Sequence, residues 1–133
     1  MMEKLLLVSS KIENLRKVEK FVDEISAICK LNSELYGNIL IATLEAANNA
    51  IVHGNKLKEE LDVLVTAIYA DNVLKISIED KGPGFDYSHI PDPTSPENIE
   101  NVSGRGVFLM EKLSDGIEFR NNGSIVELTF NVL

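Results

Sequence analysis

Leu61-Asp62-Val63-Leu64-Val65-Thr66-Ala67-Ile68-Tyr69-Ala70, then Asp71-Asn72, then Val73-Leu74-Lys75-Ile76-Ser77-Ile78-Glu79-Asp80, decides how the chain folds. Both runs are rich in β-branched residues and alternate with a period of two, the spacing that puts successive side chains on opposite faces of a strand. The Asp-Asn pair between them reads as a hairpin turn, so residues 61–80 are expected to form two antiparallel strands.

Upstream the period changes. Ile12, Leu15, Val18, Val22, Ile25 and Ile28 recur at steps of three and four, which makes one apolar stripe on a helix, with Arg16, Lys17 and Lys20 off it. Ser10 followed by Glu13 has the spacing of a capping box that would open this helix, and Leu5 to Val8 reads as a short strand before it. After a break at Lys30 to Asn32, Ser33 is placed to cap a second helix with Leu35, Ile39, Leu40, Leu44, Ala47 and Ile51 facing inward and Gly54 at its end.

Downstream, Gly116 to Arg120 and Ser124 to Val132 flank Asn122-Gly123, a pair that accepts the positive φ angles of a type I′ turn, so a second hairpin is expected. Between the hairpins, Pro91, Pro93 and Pro96 make residues 86–103 poor candidates for regular structure, and a short helix is expected only from Val107 to Leu113. The expected class is α+β: a two-layer sandwich in which helices cover one face of a mostly antiparallel, mixed sheet.

With 133 residues and no low-complexity tract, one domain spanning residues 1–133 is expected. The net charge of −8 disfavours nucleic acid or an anionic membrane as a direct partner. Residues 1–30 depart from that balance with six basic against five acidic side chains, so a basic contact surface is sought near the N-terminus. The lone Cys29 cannot form an intramolecular disulfide and reads as a core thiol. No uncharged apolar run is long enough to span a bilayer, and a soluble, cytoplasmic protein is expected.

Three short motifs carry chemistry. In Glu45-Ala46-Ala47-Asn48-Asn49-Ala50, Glu45 and Asn49 are four apart and share one helix face. Magnesium takes hard oxygen ligands and usually keeps several waters, so the Asn49 carboxamide oxygen together with phosphate oxygens makes a reasonable site. A neighbouring carboxylate such as Glu45 can accept a proton from an attacking hydroxyl or water. Next, Asp80-Lys81-Gly82-Pro83-Gly84-Phe85-Asp86 begins where a strand ends. A carboxylate accepts hydrogen bonds only, so Asp80 would favour the N6 amino group of adenine over the O6 of guanine. Gly82 and Gly84 permit close approaches that a Cβ would block. Third, Ser103-Gly104-Arg105-Gly106-Val107-Phe108-Leu109-Met110 runs glycines into a helix, and free amides at a helix N-terminus suit phosphate oxygens. Gly104, Gly106 and Val107 would line that pocket, and Arg105 would either add its charge to the phosphates or stay in solvent. His53 falls four residues after Asn49, where a hydrogen bond to a phosphate and a purely local role are both open.

Each motif alone is weak, but their order is specific. It resembles the histidine-kinase-like (GHKL) ATPase superfamily of gyrases, heat-shock chaperones, histidine kinases and mismatch-repair ATPases, whose N, G1 and G2 boxes come in this sequence. The wording Glu-Ala-Ala-Asn-Asn-Ala-Ile-Val-His-Gly, Asp-Lys-Gly-Pro-Gly-Phe-Asp and Ser-Gly-Arg-Gly-Val-Phe-Leu-Met is similar to the bacterial anti-sigma factor serine kinases. That resemblance implies a Bergerat-type ATP-binding fold, ATP and Mg2+ as cofactors, Asn49 on the metal, Glu45 as catalytic base and Asp80 reading adenine. It also implies glycines that hold phosphates beneath a lid at about 86–103. The implied activity is transfer of the γ-phosphate to a serine of an antagonist protein. The implied partners are that antagonist, a sigma factor and a second copy in a homodimer. A non-catalytic ATP-binding module that controls a partner by binding alone stands as the alternative. A histidine-kinase catalytic domain ranks below both, because no residues remain to build the helical hairpin that would carry a phosphorylated histidine.

Overall fold

The computed structural model describes residues 1–82 and 102–132, and only the backbone of residues 102–106. In chain order the elements are β1 (Met2–Ser9), α1 (Leu15–Cys29), α2 (Ser33–Asn49), β2 (Asp62–Ala70), β3 (Val73–Glu79), α3 (Val102–Leu113), β4 (Gly116–Arg120) and β5 (Ile125–Asn131). The strands form one sheet in the order β1-β2-β3-β5-β4. Each of its pairings is antiparallel, so the sheet is not mixed among the described residues. The architecture is the expected α+β class. The period-two alternation buries Val63, Val65 and Ala67 of β2, Leu74, Ile76 and Ile78 of β3, and Val126, Leu128 and Phe130 of β5 on a single face. The helices cover that face, with α2 packed between α1 and α3. Each fully buried Val, Leu, Ile or Phe contributes about 1.5–3 kcal/mol relative to exposure, which makes this one shared interior the main source of stability.

The two turns show how side-chain type selects backbone shape. Asp71 and Asn72 have φ of 53° and 62°, the pair of positive values a type I′ hairpin needs. The second connection is longer than expected. Arg120 pairs with Ile125, and the four residues between them carry positive φ at Asn121, Asn122 and Gly123. A tight two-residue turn at Asn122-Gly123 therefore does not form, although the Asn and Gly residues still serve as the left-handed positions.

The helix boundaries differ from the sequence reading in three places. Ser10 does not cap a helix, because its hydroxyl donates to the Leu61 carbonyl at 2.7 Å and the chain passes through a 3-10 turn, Ile12–Asn14, before α1 begins. A long-range partner has displaced the local one. The buried stripe of α1 is Val18, Phe21, Val22, Ile25 and Cys29, whereas Ile12 and Ile28 are exposed. At α2 the capping side chain is that of Asn32, which accepts from the Leu35 amide at 2.8 Å, one residue before the expected Ser33.

The third difference lies at α3, which begins at Val102 rather than Val107, so Gly104 and Gly106 lie within the helix and not ahead of it. A helical glycine costs about 1 kcal/mol relative to alanine, which is why sequence propensity stops short there. Val107 and Met110 of this helix are buried against the core, and packing of this kind outweighs the local preference. No described helix is long and apolar enough to cross a membrane.

Candidate nucleotide site

The last turns of α2 change pitch. Ala50–Gly54 continue the helix as a π-helical turn in which the Asn55 amide donates to the Ala50 carbonyl at 2.8 Å. Such wide turns leave the chain in a direction an α-helix cannot take, and they recur at functional sites. Here the turn delivers Gly54 against the end of β3. A Cβ on Gly54 would lie 2.7 Å from Asp80 Oδ1 and nearer still to Cγ and Oδ2. A Cβ on Gly82 would lie 2.6 Å from the Gly54 carbonyl carbon and closer to its oxygen. Gly54 ends the helical run as expected, but without a left-handed φ, and the left-handed residues are Lys56 and Leu57 just beyond it. Glycine is required at position 54 for close approach.

Beside this crossing a cavity opens, enclosing about 550 Å³ that includes a part open to solvent. Its walls come from α2 and its π turn (Ala46, Asn49, Ala50, His53, Gly54), from the end of β3 (Ile78, Asp80), from α3 (Val107, Met110) and from the β4–β5 region (Phe119, Gly123, Ser124, Val126). Most of this lining is apolar, and the polar groups stand at a few points, an arrangement suited to a flat ring with a polar edge.

Asp80 is half-buried, and burial pushes its carboxyl above the ordinary value of 3.8. A hydrogen bond from the Gly82 amide to Asp80 Oδ1, 2.8 Å long, works in the other direction, and the charge of Glu79 adds to the rise. The Asp80 backbone is also held, since its amide donates to the Ser124 carbonyl at 2.9 Å.

Asn49 lines the same cavity, and its Oδ1 is buried with no hydrogen-bond partner among the described residues. An unpaired buried acceptor costs about 1–3 kcal/mol unless a ligand or water satisfies it. A carboxamide oxygen at the wall of a cavity is the kind of hard ligand that a divalent cation such as magnesium takes. Glu45 is half-buried one turn before Asn49 on α2 and does not line the cavity.

Of the other expected site residues, Gly82 approaches Gly54 closely and is not among the residues lining the cavity, and Val107 is a buried wall residue. Gly104, Arg105 and Gly106 are in the first turns of α3, where only the backbone is described. Gly84 and residues 86–101 of the expected lid lie outside the described residues, and the lid's last two positions, 102 and 103, already belong to α3. Phe119, on β4, and Gly123 and Ser124, in the turn after it, carry no mark of a site in the sequence, because neither a strand residue nor a turn shows locally what it packs beside. Gly54 stood next to the Asn49 motif and was legible as a helix end but not as a contact of Asp80.

A half-buried carboxylate at a strand end and a buried amide oxygen without a partner among the described residues, both on residues lining one largely apolar cavity, are features that a nucleotide-binding class of domain would use. Comparison with known proteins gives the family. Residues 8–130 match the model of the histidine kinase-like ATPase domain, and the chain belongs to that family. It is 33% identical over 116 residues to the serine-protein kinase RsbW of Staphylococcus epidermidis, covering 67% of this chain and 72% of that one. It is 32% identical over 97 residues to the serine-protein kinase RsbW of Staphylococcus aureus, covering 67% of this chain and 61% of that one. A crystal structure of the RsbU and RsbW domains of a Mycobacterium tuberculosis protein matches 99% of this chain with a TM-score of 0.65 and 18% identity. This chain spans 33% of that solved chain, and the likeness concerns the fold.

Proposed function

We propose that residues 1–133 form one ATP-binding domain that acts as a protein serine/threonine kinase and anti-sigma regulatory factor, phosphorylating a serine on an antagonist protein. The observation that carries the nucleotide part is that Asp80 and Asn49 line one largely apolar cavity, with Asn49 Oδ1 buried and without a partner among the described residues. The kinase part follows the family and the serine-protein kinases that resemble this chain.

In this reading the cavity takes the adenine ring, and Asp80 accepts a hydrogen bond from its N6 amino group. Asn49 supplies the oxygen that holds magnesium, which when bound offsets charge on the phosphates. Gly82, Gly84, Gly104 and Gly106 keep the phosphate side clear of side chains, with Val107 closing the wall and Arg105 near the phosphates. Glu45 accepts the proton from the substrate serine hydroxyl as the oxygen attacks the γ-phosphorus, and ADP departs. Its place beside the cavity, one turn from Asn49, suits a group that meets the acceptor protein and not the nucleotide base.

The sigma-factor and antagonist partners rest on the sequence resemblance, as do the cytoplasmic location and a homodimer. Exposed Leu5 and Leu7 on the edge strand β1, with Ile68 beside them on β2, offer an apolar surface that a second copy would cover. Titration with Mg-ATP and Mg-GTP tests the nucleotide reading, and binding confined to ATP is expected. With an antagonist protein as acceptor, Glu45→Gln should keep ATP binding and lose transfer. Transfer at near wild-type rate in that variant would remove Glu45 as the base.

A further inference from the structure

The turn that follows β3 is held by three successive amides. Asp80 N–H donates to the Ser124 carbonyl at 2.9 Å, and Gly82 N–H donates to Asp80 Oδ1 at 2.8 Å. The middle amide, that of Lys81, donates at 2.7 Å to the side-chain oxygen of Asn55. Asn55 is 1% exposed, and both the nitrogen and the oxygen of its carboxamide are engaged. Its Nδ2 donates to Ser10 Oγ at 2.9 Å and to the Asp62 carbonyl at 3.1 Å. Lys81 N–H requires an acceptor and the Asp62 carbonyl requires a donor, so the amide has one orientation only. The residue before it, Gly54, forms the close crossing with Asp80 and Gly82.

We infer that Asn55 is a positioning residue for the nucleotide: it clamps the Lys81 amide, and with it the Asp80 carboxylate, at the height in the cavity where that carboxylate meets the base. A carboxylate that selects a base by one hydrogen bond works only within a few tenths of an ångström, because hydrogen bonds weaken steeply off their preferred distance and angle. Glycine on both sides of the crossing gives the turn room to approach Gly54, but glycine contacts supply no directional bond. Asn55 does. It joins the turn to Ser10 and Asp62, at the adjoining ends of β1 and β2. The inference rests on the ATP reading of this cavity.

The test compares wild type, Asn55→Ala, Asn55→Asp and Ser10→Ala, each at a temperature where it is folded. Mg-ATP and Mg-GTP are titrated by calorimetry, and amide hydrogen exchange is followed at Lys81 and Gly82 without nucleotide. Asn55→Ala should speed exchange at Lys81, weaken ATP binding by about 10-fold and narrow the gap between ATP and GTP. Ser10→Ala loosens the same buried cluster from its far side but leaves the Lys81 bond, so its ATP affinity should stay within about 2-fold of wild type. Asn55→Asp keeps an oxygen for Lys81 and loses both donors. It should melt lower yet bind ATP better than Asn55→Ala. If Asn55→Ala does not fold, Asn55→Asp decides: loss of ATP binding with Lys81 exchange still slow overturns the clamp. Equal losses in Asn55→Ala and Ser10→Ala reduce Asn55 to a structural residue and also overturn it. Wild type that binds no Mg-ATP overturns the nucleotide reading itself, an outcome seen before any variant is made.

Discussion

Gly54 and Asp80 touch: the missing side chain at the end of the π turn is the space in which the Asp80 carboxylate sits. The helix that carries Asn49 thereby sets the position of the carboxylate on the sheet, and Asn49 and Asp80, two of the polar residues lining the cavity, are coupled through a glycine.

Replacing Gly54 with alanine should act on Asp80 first. The added methyl meets the carboxylate, the far end of a side chain that can swing, so stability should fall modestly while ATP binding weakens by about 10-fold or more. Gly82→Ala meets the Gly54 backbone instead, which cannot give, and should destabilise by about 1–3 kcal/mol. Thermal melts alongside nucleotide titrations check both. Wild-type ATP affinity in Gly54→Ala would show that the approach is not functional.

Asp80→Asn should bind ATP poorly and yet raise the melting temperature of the nucleotide-free protein at pH 7. Burial raises the native carboxyl above 3.8, so the folded state binds its proton more tightly than the unfolded chain. Stability from this group is therefore present below the ordinary carboxylate value and is lost as pH rises through the raised native one. At pH 7 the charge is a burden that Asn removes, and the advantage of Asn should shrink as pH falls toward 3.8. Calorimetric melts of both proteins across that range read the difference, and a pH-independent offset would refute the argument.

Asn49→Ala removes the buried acceptor that lacks a partner among the described residues. Its effect should depend on metal: ATP affinity in magnesium falls by about 10-fold or more, while the weaker affinity measured in EDTA changes little. Equal losses with and without magnesium would assign Asn49 to the nucleotide or to the fold.

Thr43 is fully buried on α2, and its hydroxyl has no partner among the described residues. Thr43→Val has nearly the same shape and no hydroxyl to desolvate, so it should stabilise by about 1 kcal/mol and raise the melting temperature by a few degrees. A lower melting temperature would reveal a bond to the hydroxyl.

The sequence by itself determined what depends on near neighbours. Period two in residues 61–80 and steps of three and four in α1 and α2 specify strand and helix, because burial of one face needs only local spacing. Positive φ at Asp71-Asn72 follows from side chains that tolerate it. The order of three short motifs pointed to the end of α2 and the end of β3, and Asn49 and Asp80 do line one cavity there. Tertiary structure decided the rest. Ser10 left its expected cap for the Leu61 carbonyl and the Asn55 amide, both distant in sequence. Packing carried α3 back through Gly104 and Gly106. Gly54, Asn55 and Ser124 became part of the site only when the chain brought them to Asp80 and Lys81. Close approach and hydrogen-bond partners separated by tens of residues have no period and no local composition, so they become visible only once the sheet and the helices are docked.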